Sequence, residues 1–324
     1  MARAASAPGV EFSLTIELFI GMNIAILSRG TYLYSTQSLR RACLRRGHQV
    51  RILDHMRCTL AIDQGEAQVY YDDELLEPFD AVIPRIGSSV TQQGAAVINH
   101  FEMMKVFCTT SSDALIYARD KLRCLQKLAF AGIDTPKTVS AGEGQNIGPL
   151  LNTFNAMPII VKLLESTHGA GVMLAETRRS AEATVEAFQK LGERVIMQEF
   201  IAEASGSDVR AFVVDGKVVA AMERRAKEGE FRSNLHRGAS ATVTPLSAKE
   251  EWVAQKAAEV LGLSVAGVDL LRSERGPLVI EVNASPGLEG IETVTRVDVA
   301  GKIVGFIERE IEHSQTKQLA LAFG

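Results

Sequence analysis

The chain has 324 residues, 46% of them hydrophobic and 23% charged, with a net charge of -4. That length exceeds the ~250 residues at which single cores stop growing, so two or three packed units are expected. The mild acidity excludes a global attraction to nucleic acid or to an anionic membrane, and any anionic partner must be met by a local cluster of cations.

Residues 1–21 contain a short apolar stretch, Leu14 to Gly21, interrupted by Glu17. It is too short to span a bilayer and has no clear small-residue cleavage site, so neither membrane insertion nor secretion is expected. The folded pattern is expected to start at Met22, leaving residues 1–21 as an untethered extension. Cys43, Cys58, Cys108 and Cys124 show no C-x-x-C spacing and read as buried thiols of a cytoplasmic protein.

Asn23 to Leu27 reads as a strand, Ser38 to Arg46 as a helix stopped by Gly47, and Val50 to Leu53 as a second strand, the order of a βαβ unit. A hairpin-like stretch around Val69 to Tyr71 leads to Phe79-Asp80-Ala81-Val82-Ile83-Pro84, a strand that proline ends. Arg85 follows at the C-terminal end of that strand, where open parallel sheets present ligand-binding loops; an ordinary loop arginine fits the pattern as well. Helices are expected at 92–105 and 117–131, the second stopped by Gly132, with a domain break near residue 115.

A second unit runs from Pro136. The common phosphate cradles are missing from the chain. Gly216-Lys217 and Gly301-Lys302 are followed by Val218 and Ile303 rather than Ser or Thr, and Gly142, Gly144 and Gly148 fail the dinucleotide fingerprint. In their place Pro158 to Leu163 is an apolar strand carrying Lys162, followed by a flap, Glu165 to Val172, that holds Gly169 and Gly171. Glycines let the backbone approach a phosphate closely, and lysine supplies a compact cation. A hairpin turn with an edge lysine explains the same residues.

The third segment begins near residue 200 with strands at Val209 to Val214 and Val218 to Glu223. Met222 to Gly238 then concentrates Arg224, Arg225, Lys227, Arg232 and Arg237 in an acidic chain, which makes it either a local anion site or a solvated charged loop. After an amphipathic helix from Ala248 to Leu261, Gly267 to Leu271 and Leu278 to Asn283 form a hairpin. Side chains alternate along a strand, so Glu281 and Asn283 share a face, and a turn around Arg275 and Gly276 lays Asp269 opposite Glu281. Three oxygen ligands with no His or Cys nearby suit Mg²⁺ or Mn²⁺ rather than zinc. The alternative is an edge hairpin with solvated acids.

Lys162 with its flap, Gln198-Glu199-Phe200-Ile201, Asp208-Val209-Arg210, Arg232-Ser233-Asn234 and the set Asp269, Glu281, Asn283 occur in the order of the ATP-grasp superfamily. More narrowly, Arg119-Asp120-Lys121-Leu122, Glu223 to Gly238 and Glu281 to Gly290 resemble the RimK-type ligases, which add glutamate to the C-terminus of ribosomal small-subunit protein six. The resemblance implies an α/β ATP-grasp fold: a parallel-sheet pre-ATP-grasp domain (22–115), a central lobe (116–200), a C-terminal lobe with the metal hairpin (201–313) and a tail (314–324). It implies that Lys162 and Lys121 contact phosphates, Glu199 and Phe200 lie at the adenine, and Asp208 holds the ribose. By the same resemblance Arg232, Ser233 and Asn234 reach the transferring phosphate, Arg232 and Asn234 being catalytic, while Asp269, Glu281 and Asn283 carry two Mg²⁺ or Mn²⁺ ions bridged by Glu281.

The activity so implied is an ATP-dependent acid–amino-acid ligase, with L-glutamate as donor, the tail of that ribosomal protein as acceptor and an acyl phosphate between. Such chemistry needs no side-chain nucleophile, in keeping with the lack of a Ser/His/Asp set. The Ser285-Pro286-Gly287 turn is expected to meet the incoming amino acid and Arg85 the acceptor, with Arg224, Arg225, Arg232 and Arg237 as countercharge. A homo-oligomer is implied, with no direct nucleic-acid or membrane partner. A ligase of the same fold acting on a small molecule carries the same ATP motifs, and a catalytically silent nucleotide-binding regulator is the reading from another class.

Overall fold

Ile24 to Leu27 is apolar on both faces of its strand, which suits the interior of a parallel sheet. The computed structural model, which describes residues 21–142, 144–164, 171–235 and 238–323, places it there. β1 (Asn23–Leu27) leads through α1 (Tyr34–Arg45) to β2 (Gln49–Leu53). Gly47, at φ +82°, makes the left-handed turn that ends α1. β3 (Cys58–Asp63), β4 (Glu66–Tyr71) and β5 (Glu74–Leu75) then form a small antiparallel sheet, more than the single hairpin expected there. β6 (Ala81–Pro84), α2 (Thr91–Met103) and β7 (Phe107–Cys108) complete the main sheet in the order β2-β1-β6-β7, all pairs parallel.

The one helix expected over 117–131 is two, α3 (Ser112–Arg119) and α4 (Lys121–Phe130). Asp120 breaks the run because its backbone is extended and its carboxylate accepts a hydrogen bond from the Arg123 amide at 3.0 Å, capping α4. β8 (Thr138–Ser140), α5 (Gly148–Leu151), β9 (Ile159–Leu163), β10 (Val172–Ala175), α6 (Arg178–Lys190) and β11 (Val195–Glu199) form a lobe with its own core. Its antiparallel sheet runs β10-β9-β11-β8, and Ile159, Val161, Val195 and Met197 pack with Ala181 and Val185 of α6. Residues 165–170, most of the expected flap, lie outside the described residues, as do residues 1–20 and Arg237.

The rest of the chain is β12 (Ser207–Val214), β13 (Lys217–Arg225), β14 (Ser240–Val243), α7 (Ala248–Val260), β15 (Val265–Ser273), β16 (Gly276–Asn283), α8 (Glu289–Thr295) and α9 (Val299–Phe323). The five antiparallel strands run β14-β13-β12-β15-β16. Val209, Ala211 and Val213 of β12 share a core with α7 and with Leu27, Val97 and Phe101 of the first domain, while Phe212 and Met222 share another with α8, α9, Ile24 and Leu39. The first domain is therefore packed onto the C-terminal lobe, and the central lobe stands on a separate core across a cleft. Glu308 of α9 strengthens that union by accepting hydrogen bonds from Arg46 at 2.6 to 3.0 Å and lying 3.0 Å from His48 Nε2. α9 continues through the expected tail at 314–324 as far as Phe323. No helix among the described residues is long and apolar enough to cross a membrane.

Candidate active site

The polar face of the five-stranded sheet is built by alternation and by two bulges. Asp208 and Arg210 lie two residues apart on β12 and so project on one side. The β12–β13 hairpin turns at Asp215 and Gly216, both at positive φ, as a two-residue turn of the primed type requires. Carried unbroken from that turn, the register would set Asp208 against Glu223. A shift between Phe212 and Val213 leaves Val219 unpaired and sets Asp208 against Arg224 instead. The β15–β16 hairpin repeats the device. Its turn is Glu274-Arg275, with Ser273 paired to Gly276, so an unbroken register would face Asp269 with Ile280; a shift between Asp269 and Leu270 brings Glu281 opposite. The expected pairing of Asp269 with Glu281 holds, through a bulge rather than through the turn proposed for it.

The result is an ionic row across three strands, β13, β12 and β15, with Glu281 beyond it on β16. Arg224 donates from Nε and Nη2 to the two oxygens of Asp208, each at 2.7 Å, and lies 2.9 Å from Asp269 Oδ2. Arg210 donates to both oxygens of Asp269 at 2.7 and 2.6 Å. Burial opposes ionisation of Asp269, but Arg210 and Arg224 outweigh it and hold its pKa below the usual carboxylate range. Burial is the larger influence on Asp208, whose pKa is raised despite Arg224. Ser233 also donates its hydroxyl to Asp208, at 2.6 Å.

Asp208, expected at a ribose, lines the cleft with both oxygens engaged by Arg224 and Ser233. Arg224, expected as substrate countercharge, is 3% exposed and is neutralised by the chain's own acids. Arg225 turns to Glu223 at 2.7 Å. Glu281 is the exposed carboxylate at the end of the row. Asn283 donates its amide to the Gly267 carbonyl at 3.2 Å, which leaves its side-chain oxygen as the donor atom for a cation. Among the described residues no group of three His, Cys, Asp or Glu side chains is placed to hold a metal ion. Two carboxylates and an amide are nevertheless the hard oxygen set of a Mg²⁺ site completed by phosphate and water, so the residue types fit that ion, with Asp269 sharing its oxygens between the cation and Arg210 and Arg224.

Asp208, Arg224, Asp269 and Glu281 form one wall of a cleft of about 150 Å³; the central lobe forms the other. Lys162, paired across β9 with Val172 and Ile196, donates to Gln198 Oε1, and Gln198 in turn donates to Thr138 at 2.9 Å. Burial lowers the Lys162 pKa to about 8. Lys121 donates to the Leu164 carbonyl at 2.9 Å. Glu199 accepts from the Lys137 amide at 2.7 Å and from Arg275, so its side chain braces the strand while Gln198 to Ile201 lines the cleft.

Arg232 is held by Glu230 at 2.9 and 2.8 Å and donates to the Val172 carbonyl at 3.3 Å, reaching from one lobe to the other. Its guanidinium keeps Glu230 down at about 2. Phe200, Ser233 and Asn234 line the same cleft, and so the eleven residues expected to hold ATP or metal lie around it or, for Asn283, at the adjoining cleft described below. Arg210 and Glu230 had no role assigned from sequence; the signal for Arg210 was a charge two residues from Asp208 in an apolar strand.

Residues 22–115 match the RimK PreATP-grasp domain and residues 118–307 the RimK-like ATP-grasp domain. The chain is 56% identical over 287 residues to a probable alpha-L-glutamate ligase of Cellvibrio japonicus (strain Ueda107), covering 89% of this chain and 95% of that one. It is 54% identical over 296 residues to a protein of the same description from Thioalkalivibrio sulfidiphilus (strain HL-EbGR7), covering 91% and 98%. Among solved structures, the ATP-grasp ligase PsnB complexed with minimal precursor, Mg and ADP superposes with a TM-score of 0.69 at 19% identity, covering 90% of this chain and 98% of that one. With both domains matched in order across nearly the whole described chain, the protein belongs to the RimK-like ATP-grasp family of ligases.

Proposed function

We propose that the protein joins L-glutamate to the C-terminal carboxylate of a protein acceptor, the tail of ribosomal small-subunit protein six. The terminal phosphoryl group of ATP passes to the acceptor carboxylate, giving an acyl phosphate and ADP. The glutamate amine then attacks the acyl carbon, phosphate leaves with the C–O bonding pair, and the nitrogen loses a proton to give the amide. Lys121 and Lys162 hold phosphates, Glu199 and Phe200 flank the adenine, and Arg232, Ser233 and Asn234 meet the transferring group. Asp269, Glu281 and Asn283 hold two Mg²⁺ or Mn²⁺ ions, which neutralise charge on the phosphate oxygens when bound.

The observation that carries this reading is the exposed Glu281 carboxylate where two clefts meet, one lined by Lys162 and Arg232 and the other by further arginines. The names of the relatives support glutamate as the donor. A panel of amino acids, each incubated with ATP, Mg²⁺ and the ribosomal protein, tests it by intact-protein mass spectrometry. Glutamate is expected to be added and glutamine poorly, since glutamine lacks the second carboxylate. Preferential addition of a neutral or basic amino acid, or no addition while a free small-molecule acceptor reacts, refutes it.

A further inference from the structure

The second cleft, about 740 Å³, runs between the loop after β6, the α3–α4 junction and the end of β16. It meets the first at Lys121 and Glu281, which line both. Of its charged lining residues Arg119, Lys121, Arg123 and Arg194 are cationic against Asp120 and Glu281, in a chain whose net charge is -4. Arg119 closes α3 and donates from Nη2 to the Ile86 carbonyl at 2.5 Å. Its Nε is buried and meets no acceptor among the described residues. An unsatisfied buried donor is costly; with Nη2 given to Ile86 and Nε enclosed, the cleft meets the remaining guanidinium donors of Arg119, and a carboxylate is a group that matches them.

Arg85 stands behind it. Its Nη2 donates to the Pro286 carbonyl at 2.8 Å and lies 3.4 Å from that of Ser285, whose own hydroxyl is buried without a partner among the described residues. Burial and the neighbouring Arg119 charge together lower the Arg85 pKa to about 10. Two like charges are thus held side by side in a partly desolvated place, next to the turn at Ser285 and Pro286. Arg119 does not line the first cleft, so phosphate is not its counterpart.

We propose that Arg119, backed by Arg85, anchors a non-reacting carboxylate of the amino-acid substrate in this second cleft. The proposal rests on the ligase reading above and adds the residue that selects an acidic or amino-acid carboxylate. The acceptor's carboxylate is consumed as it becomes an acyl phosphate, whose charge sits on the phosphoryl oxygens, and it belongs at the Glu281 seam; the amino acid keeps a free carboxylate throughout and is served by a permanent cation away from that seam.

Equilibrium titration of L-glutamate into the protein loaded with Mg²⁺ and a non-hydrolysable ATP analogue tests it. Arg119→Met is expected to weaken glutamate binding on the order of tenfold to a hundredfold, with the affinity for the ATP analogue unchanged. Arg119→Lys, which keeps the charge and loses the fork, recovers only part of it. In turnover the loss falls on the KM for glutamate more than on kcat. Wild-type glutamate affinity in Arg119→Met overturns the proposal, as does an equal loss of glutamate and nucleotide binding, the mark of a structural role. A wild type that binds no amino acid in a panel overturns the ligase reading and this subsite together, and the wild-type titration alone reveals that case.

Discussion

Replacing Arg224 by methionine separates the internal ionic row from an ordinary surface pair. The substitution keeps an unbranched apolar stem and removes two hydrogen bonds of 2.7 Å to Asp208 and the 2.9 Å contact with Asp269. Asp269 retains Arg210, whereas Asp208, 6% exposed, is left with only the Ser233 hydroxyl. Stranding a buried charge in this way costs about 3–5 kcal/mol. For a cooperative unit of this size that corresponds to a fall of roughly 6–20 °C in melting temperature, measured by differential scanning calorimetry.

Arg225→Met is the internal control. Its pair with Glu223 is 62% exposed on the arginine side, and loss of such a pair is worth about 0–1 kcal/mol. The pH dependence supplies a second signature. Burial already raises the Asp208 pKa, and without Arg224 it rises further, so the folded variant binds a proton that the unfolded chain releases. Relative to wild type the deficit therefore grows as pH rises through the raised wild-type Asp208 pKa towards that of the variant, and shrinks on acidification. An Arg224→Met variant that melts with Arg225→Met at pH 7, or whose deficit is the same at all pH values, refutes the reasoning.

Glu281→Gln keeps volume at an exposed position while removing the carboxylate, so ligation is expected to fall by at least ~10²-fold with an unchanged melting temperature; near-normal turnover removes Glu281 from the metal site. Because burial lowers Lys162 to about 8, nucleotide affinity is expected to be level below that pH and to decline above it, with proton uptake on binding near pH 8.5. Calorimetry in buffers of different ionisation enthalpy detects the uptake, and its persistence in Lys162→Met assigns it to another group. Gly267→Ala places a Cβ 2.8 Å from Pro286 Cβ and must displace the turn beside Arg85, costing about 1–3 kcal/mol and raising the KM for the amino acid. Wild-type stability and KM in that variant refute the close approach.

Local chemistry was enough to read much of this protein in its sequence. Apolar runs such as Ile24 to Leu27 and Ile159 to Val161 declare strands, because burying them on both faces is the only way to remove them from water. Lys162 stands out because a lysine at the end of such a run needs a reason. Glu281 and Asn283 share a face by alternation alone. The small sheet β3–β5, the split at Asp120 and the extension of α9 were not legible, since each depends on a cap or a neighbour that no single segment specifies. What only the tertiary structure decided is the register of the ionic row. Val219 and Ile280 are apolar residues in apolar strands, and nothing in their immediate sequence marks them as unpaired. Each slips its strand by one residue, the first bringing Arg224 opposite Asp208 and the second Glu281 opposite Asp269. A one-residue slip reverses every side chain beyond it, and so two unremarked bulges determine which charges meet in the cleft.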